Sequence, residues 1–127
     1  MPKYIGVDVG TKRVGIAVSD VGGKIAFPFE VVRSRDAVAR ILEIYEEEGA
    51  EGVVFGESRT ADGEANKVMA EIEAFKDMIE EEGIEVFLED ESFTTAHVRM
   101  AGMGENIDAG AAALILQRFL DKRREEA

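Results

Sequence analysis

The chain opens with two apolar, β-branched runs on either side of a short polar turn. Both runs lie within residues 3–20, and Thr11, Lys12 and Arg13 lie on the turn between them. This pattern predicts a β-hairpin. A third apolar run at 25–32 follows a glycine-rich turn, and Pro28 within it favours the edge of a sheet. The first quarter of the chain is therefore predicted to form a meander of three antiparallel strands.

Helical and strand patterns alternate along the rest of the chain. Short apolar runs at 52–56 and 84–88 predict two more strands, and the first of these is expected to be covered on both faces. We expect Ser34 to cap the helix that follows the meander, and Gly49 and Gly83 to end the first two helices. Apolar residues at helical spacing predict four helices, over about 34–48, 64–82, 94–100 and from 108 onward.

The order of these elements, βββαβαβαα, predicts one α/β domain spanning residues 1–127. Strands that are separated by helices pair in parallel through right-handed crossovers. We therefore expect a five-stranded mixed sheet in which the antiparallel meander lies beside two parallel strands, with helices packed on both faces. A chain of 127 residues has room for one substantial core.

Charge and composition narrow the range of functions. A net charge of −12 argues against tight nonspecific binding of nucleic acid, but a nuclease whose carboxylates surround divalent ions is compatible with it. The chain has no run of eighteen apolar residues, so no membrane span is predicted. The chain has no cysteine and one histidine, His97, which we expect on the surface of a helix. Any metal would therefore be held by oxygen ligands, which favours Mg²⁺ or Mn²⁺, and we expect a cytoplasmic protein.

Asp8 interrupts the first apolar strand. A charge buried there costs several kcal/mol unless something pairs with it. Two structural explanations are open: a sheet face left in water, or a salt bridge to Lys12 or Arg13. We favour a metal ligand, or an acceptor for the backbone N–H groups of the turn, and Gly10 would allow close approach of the backbone.

Three other acids are expected near Asp8. In such a sheet, sites form at the carboxyl ends of the parallel strands. Glu57 follows the fourth strand and Glu91 follows the fifth, while Asp108 shares the face of the last helix that packs on the sheet. Taken singly, Glu57 and Glu91 are ordinary loop acids and Asp108 is an ordinary helix cap. Their convergence predicts a site in which two divalent ions clamp a phosphodiester and activate water.

Basic and hydroxyl side chains near this edge are the candidate contacts to nucleic acid. The residues on the turn after Asp8 either contact phosphates or are solvated. The two threonines after the fifth strand are expected to act as helix caps in the first place and as ligand contacts in the second. We interpret a basic strip near the C-terminus, Arg118, Lys122, Arg123 and Arg124, as complementing the dipole of the last helix. The candidate contacts are Thr11, Lys12, Arg13, Arg59, Thr94 and Thr95.

Three motifs resemble those of the YqgF/RuvX family. Residues 7–15 (VDVGTKRVG) resemble its opening motif, residues 90–95 (DESFTT) its Asp-Glu-Arg-hydrophobic-Thr-Thr motif, and residues 108–117 (DAGAAALILQ) its closing motif. The three occur in the family's order and span nearly the whole chain. The resemblance implies an RNase H-like, Holliday-junction-resolvase-like nuclease linked to trimming of the small-subunit ribosomal RNA precursor. By position in these motifs, the resemblance implies that the family's metal-binding, catalytic acids correspond to Asp8, Glu91 and Asp108. Glu57 matches none of the motifs and would be an extra ligand.

The chain departs from the family pattern at three places. Ser92 replaces an arginine, residues 56–59 (GESR) replace a Gly-hydrophobic-Pro loop, and residues 101–107 lack basic side chains. These departures leave the three acids intact. The resemblance thus implies a nuclease dependent on Mg²⁺ or Mn²⁺ that acts on structured RNA or branched DNA, as a monomer or homodimer.

Two other functions compete with the nuclease. One is a noncatalytic RNA-binding module in ribosome assembly or transcription. The other follows from the Asp-x-Gly-Thr opening, which also resembles the first phosphate loop of actin-like ATPases and sugar kinases. Those proteins enclose a nucleotide between two domains, which one domain of 127 residues cannot do.

Overall fold

The computed structural model describes residues 3–57, 63–90 and 109–126, with residues 57, 63–66, 90, 125 and 126 described by their backbone alone. In these ranges a short 3₁₀ turn, Ser34–Asp36, precedes the first helix. No helix in the described ranges is long and apolar enough to cross a membrane. The strands are β1 Tyr4–Val9, β2 Arg13–Ser19, β3 Ala26–Arg33, β4 Gly52–Glu57 and β5 Glu85–Asp90, and the helices are α1 Ala37–Glu48, α2 Gly63–Glu80 and α3 Ala109–Glu126.

The strands form one mixed sheet in the order β3-β2-β1-β4-β5. The β1–β2 and β2–β3 pairs are antiparallel, whereas β1–β4 and β4–β5 are parallel. The sheet therefore has the predicted meander beside two parallel strands. β3 lies at one edge, as Pro28 predicted.

Alternation along β1 divides the core into two layers. Ile5, Val7 and Val9 point to the face covered by α1 and α2, where Ile41 and Ile72 are fully buried. The opposite face packs against α3, whose predicted inner residues are buried there: Ala112, Ile115 and Phe119. Helices thus cover both faces of the sheet, as expected.

The predicted ends of several elements are wrong. Ser34 does not cap α1, which begins at Ala37 after the 3₁₀ turn and has no side-chain cap. Gly49 ends α1 with a φ of 65°, as predicted. β4 and β5 continue past their apolar runs, because Glu57 pairs with Asp90 in the parallel ladder. The predicted helix at 94–100 lies outside the described residues.

Candidate active site

Asp8 lies on β1, one residue before the strand ends. It pairs across the sheet with Gly15 of β2, and its exposed fraction is 0%. Burial rules out the solvated-face alternative. Lys12 and Arg13 are exposed, and neither forms an ion pair within the described ranges, so the salt-bridge alternative is also wrong. Asp8 is thus a carboxylate held inside the protein by a rigid strand.

The carboxyl ends of three adjacent parallel strands meet at this edge. Val7 pairs with Phe55, and the same register continued by one residue places Asp8 level with Gly56 of β4. Gly56 in turn pairs with Glu89 of β5. Because Gly56 has no side chain, nothing from β4 fills the row between Asp8 and Glu89 on the α3 side of the sheet. The predicted arrangement of β1, β4 and β5 is therefore present.

Helix α3 approaches this edge because Gly6 lets it pack closely on β1. A Cβ atom at Gly6 would lie 2.7 Å from Leu116 Cβ and 2.8 Å from the carbonyl oxygen of Ala112. Farther back along β1, Tyr4 packs on Phe119, with 5.2 Å between ring centroids. Tyr4 thus contacts a later residue of α3 than Gly6 does, so the helix runs antiparallel to β1. Its N-terminus, which begins at Ala109, is thus directed to the strand end that carries Asp8.

The turn between β1 and β2 lies at the same edge. The Gly10 N–H donates to the Arg13 carbonyl over 2.9 Å, which closes the turn. Thr11, Lys12 and Arg13 are all exposed. The turn therefore presents one hydroxyl and two cations beside the carboxyl ends of the parallel strands.

Glu89 is a buried acid that the sequence pattern did not identify. Its exposed fraction is 4%, and it points to α3, where Lys122 Nζ lies 2.6 Å and Arg118 Nε 3.7 Å from its Oε1 atom. Arg118 and Lys122 therefore pair with β5 and lie before the last turn of α3, so the dipole interpretation is wrong for these two. Arg123 and Arg124 do lie in the last turn, as that interpretation expects. The i,i+4 spacing of Arg118 and Lys122 indicates that they lie on one face of the helix. It does not identify their partner, because Glu89 is 33 residues from Lys122 in the sequence.

The other predicted site residues lie outside what the structure describes. The Glu57 backbone ends β4 at this edge, but its side chain is not described. No group of three or more potential metal ligands occurs among the side chains of the described ranges. The predicted residues outside those ranges are Arg59, Glu91, Thr94, Thr95, His97 and Asp108.

Relatives of the chain share a name that points to ribosomal RNA. A protein of Fusobacterium nucleatum subsp. nucleatum is 36% identical over 98% of this chain and 100% of its own length, and is named "Putative pre-16S rRNA nuclease". A protein of Leifsonia xyli subsp. xyli bears the same name and is 36% identical over 94% of this chain and 86% of its own length.

Solved structures share the fold at lower identity. Thermus thermophilus RuvC, solved in complex with a Holliday junction substrate, matches with a TM-score of 0.64 and 21% identity, covering 98% of this chain and 96% of its own. This likeness confirms a RuvC-like RNase H fold. The family described as RuvX, Holliday junction resolvase, matches residues 2–122. By that match and by the identity to curated relatives, the chain belongs to the RuvX family of Holliday junction resolvase-like nucleases.

Proposed function

We propose that this protein is a metal-dependent nuclease that hydrolyses phosphodiester bonds of the 16S ribosomal RNA precursor in the cytoplasm. The observation that carries the proposal is the placement of Asp8, a carboxylate with 0% exposure, where three parallel strands end. Apolar strands tolerate such a charge when it serves a site, and burial fixes its position. The name shared by the relatives supplies the substrate class.

Chain connectivity supports a role for two more acids. Glu91 follows Asp90, the last residue of β5, and Asp108 precedes Ala109, the first residue of α3. Each of these acids is thus covalently joined to a described end of β5 or α3. Both ends are directed to the edge that carries Asp8. We therefore assign Asp8, Glu91 and Asp108 as the catalytic acids, with Glu57 as an additional candidate ligand.

The donor set fits a hard divalent cation. Carboxylate oxygens are the ligands that Mg²⁺ and Mn²⁺ prefer, and the four candidate residues offer only such oxygens. When bound, the metal supplies a Lewis acid for the phosphate and an activated water. Asp8 holds its carboxylate on a strand that cannot shift without disturbing the core. Thr11, Lys12 and Arg13 lie where they can orient the phosphate backbone, and Arg59, Thr94 and Thr95 remain candidates for the same role.

The proposal predicts that Asp8→Asn loses cleavage. The substrates are a structured RNA carrying the 16S precursor ends and a branched DNA, each with Mg²⁺ or Mn²⁺. Removing a residue that only orients a metal ligand costs about 10–100-fold, so loss of a ligand itself should cost at least about a hundredfold. Asp77→Asn is the matched control, since it removes the same charge from an exposed position on α2. It should cleave like the wild type.

Metal binding provides a second measurement that is independent of substrate. Mn²⁺ should raise the Tm of the wild type and of Asp77→Asn, but not that of Asp8→Asn. Equal cleavage by the wild type and Asp8→Asn would reject the assignment. RNA binding that is retained in both proteins, without metal-dependent cleavage in either, would instead favour the noncatalytic binding module.

A further inference from the structure

A cavity opens between β5 and α3 on the side of the sheet that carries Asp8. Its volume is about 260 Å³, slightly below the range typical of pockets for drug-sized ligands. Its lining combines two aromatic rings with two cations and one carboxylate. The lining residues are Phe87, Leu88, Glu89, Phe119, Lys122 and Arg123.

Arg123 is held at this cavity by aromatic rings. Its guanidinium carbon lies 5.3 Å from the ring centroids of Tyr4 and Phe119, and 5.7 Å from that of Phe87. Within the described residues it forms no ion pair or hydrogen bond. That is unexpected in a chain with 27 acidic residues. The rings fix the guanidinium by cation–π attraction and leave its N–H donors for an external anion.

The cavity lies close to the proposed catalytic edge. Glu89, which lines it, is level with Gly56 and, by the same register, with Asp8. Two strand spacings separate Glu89 from Asp8, or about 10 Å. Arg123 lies farther back, over Tyr4, which precedes Asp8 by four residues or about 13 Å along β1. A nucleic-acid strand would therefore connect Arg123 with the catalytic edge over a few nucleotides. Lys122 and Arg118 pair with Glu89, so its charge does not exclude a phosphate from the cavity.

We propose that this cavity is a subsite for one unpaired nucleotide of the substrate strand. Arg123 contacts the phosphate, and the base enters the cavity and packs against the half-buried ring of Phe87, since Phe119 is only 7% exposed. Only a ligand with both an anionic group and a flat ring uses both halves of the lining, and bases of a duplex cannot leave the stack to enter it. The proposal rests on the proposed nuclease function, because it takes the ligand to be a nucleic-acid strand.

The test measures binding of a labelled single-stranded RNA by fluorescence anisotropy at low ionic strength. All variants carry Asp8→Asn, so that the RNA stays intact. Arg123→Gln should weaken binding about tenfold, because it removes one charge-assisted contact to phosphate. It should also lower the salt dependence of binding by about 0.7 in log K against log[salt], the loss of one phosphate contact. A duplex RNA should bind with equal affinity to the Asp8→Asn protein and to the protein that also carries Arg123→Gln.

Arg124→Gln is the matched control. It removes the same charge from the next residue of α3, whose guanidinium lies 4.0 Å from Asp121 and does not line the cavity. Its affinity should change less than twofold. Phe87→Leu tests the stacking half and should weaken binding without changing the salt dependence. Equal losses for the two arginine variants, no loss in either, or no binding of the single strand at all would overturn the subsite.

The outcomes separate this proposal from the proposed function. If the wild type cleaves RNA with metal while Arg123→Gln binds normally, the subsite is wrong and the nuclease assignment stands. If binding depends on Arg123 but no metal-dependent cleavage occurs, the nuclease assignment is wrong and the subsite stands. Thermal unfolding of each variant checks that Arg123→Gln, an exposed position, remains folded.

Discussion

At the scale of single residues, Gly6 decides how closely α3 can approach the site. The atoms nearest to its absent Cβ are Leu116 Cβ and the carbonyl oxygen of Ala112. Neither atom belongs to the flexible end of a side chain, so an added methyl group can be accommodated only by moving the helix. The distance between β1 and the start of α3 therefore depends on one missing methyl group.

Gly6→Ala should destabilise the fold and reduce cleavage together. Overpacking of this kind costs about 1–3 kcal/mol, which urea unfolding would measure. The helix shift also displaces the N-terminus of α3, so cleavage should fall even at temperatures where the variant is folded. Gly22→Ala is the control, because its Cβ would have 3.9 Å of clearance, and it should change stability by less than about 0.5 kcal/mol. Two variants of equal stability would contradict this account.

Asp8 and Glu89 show what a sequence reveals about single residues. Asp8 could be identified because a charge within an apolar strand is conspicuous in the sequence itself. Glu89 could not, because it occurs in the acidic stretch 89–91 and looks like part of a polar loop. Its burial depends on Lys122, which is distant in sequence and supplies the compensating charge only in the folded chain.

At the scale of elements, the pattern predicted which strands and helices exist better than where they end. Apolar period and β-branching placed all five strands, because those features are local. The ends depend on partners. β5 runs on to Asp90 because β4 is there to pair with it, and α1 begins late because a 3₁₀ turn replaces the expected cap at Ser34. Chain connectivity predicted a meander beside two parallel strands, whereas the order β1-β4-β5 comes from the structure.

The contact between β3 and α1 is electrostatic and should depend on pH. Arg40 donates two hydrogen bonds of 2.9 Å to the Glu30 carboxylate, and this holds the pKa of Glu30 below its ordinary value of 4.5. A lowered pKa means that the unfolded chain takes up the proton first as pH falls. The pair therefore stabilises the fold above about pH 4.5, and this stability is lost as pH falls through the lowered pKa.

Glu30→Gln should lower the free energy of unfolding at neutral pH by less than about 1 kcal/mol, since the side chain is one-third exposed. The difference from the wild type should vanish once the pH has fallen below the lowered pKa of Glu30. Urea unfolding across this range would measure it. Glu43→Gln removes a more exposed carboxylate 3.6 Å from the same arginine, and should have a smaller effect at every pH. If the difference in free energy of unfolding between the wild type and Glu30→Gln increased as the pH fell, the expected direction of the pH dependence would be wrong.

At the scale of the whole molecule, acidity and nucleic-acid binding must coexist. The net charge is −12, yet the candidate contacts with RNA are cations at a few places. Lys12 and Arg13 lie at the hairpin turn, and Arg123 lies at the cavity between β5 and α3. Within the described ranges none of the three forms an ion pair. These three cations are therefore available for phosphate contacts on a protein whose net charge otherwise repels phosphate.

This distribution predicts a weak dependence of RNA binding on salt. For a single strand each phosphate contact contributes about 0.7 to the slope of log K against log[salt], so three contacts give a slope of about −2. Anisotropy titrations of the Asp8→Asn protein at several salt concentrations would measure it. Lys12→Gln and Arg13→Gln should each reduce the slope by about the same amount as Arg123→Gln, because each removes one contact. A slope steeper than about −5 would mean that RNA contacts many more cations, and that the binding surface lies elsewhere on the molecule.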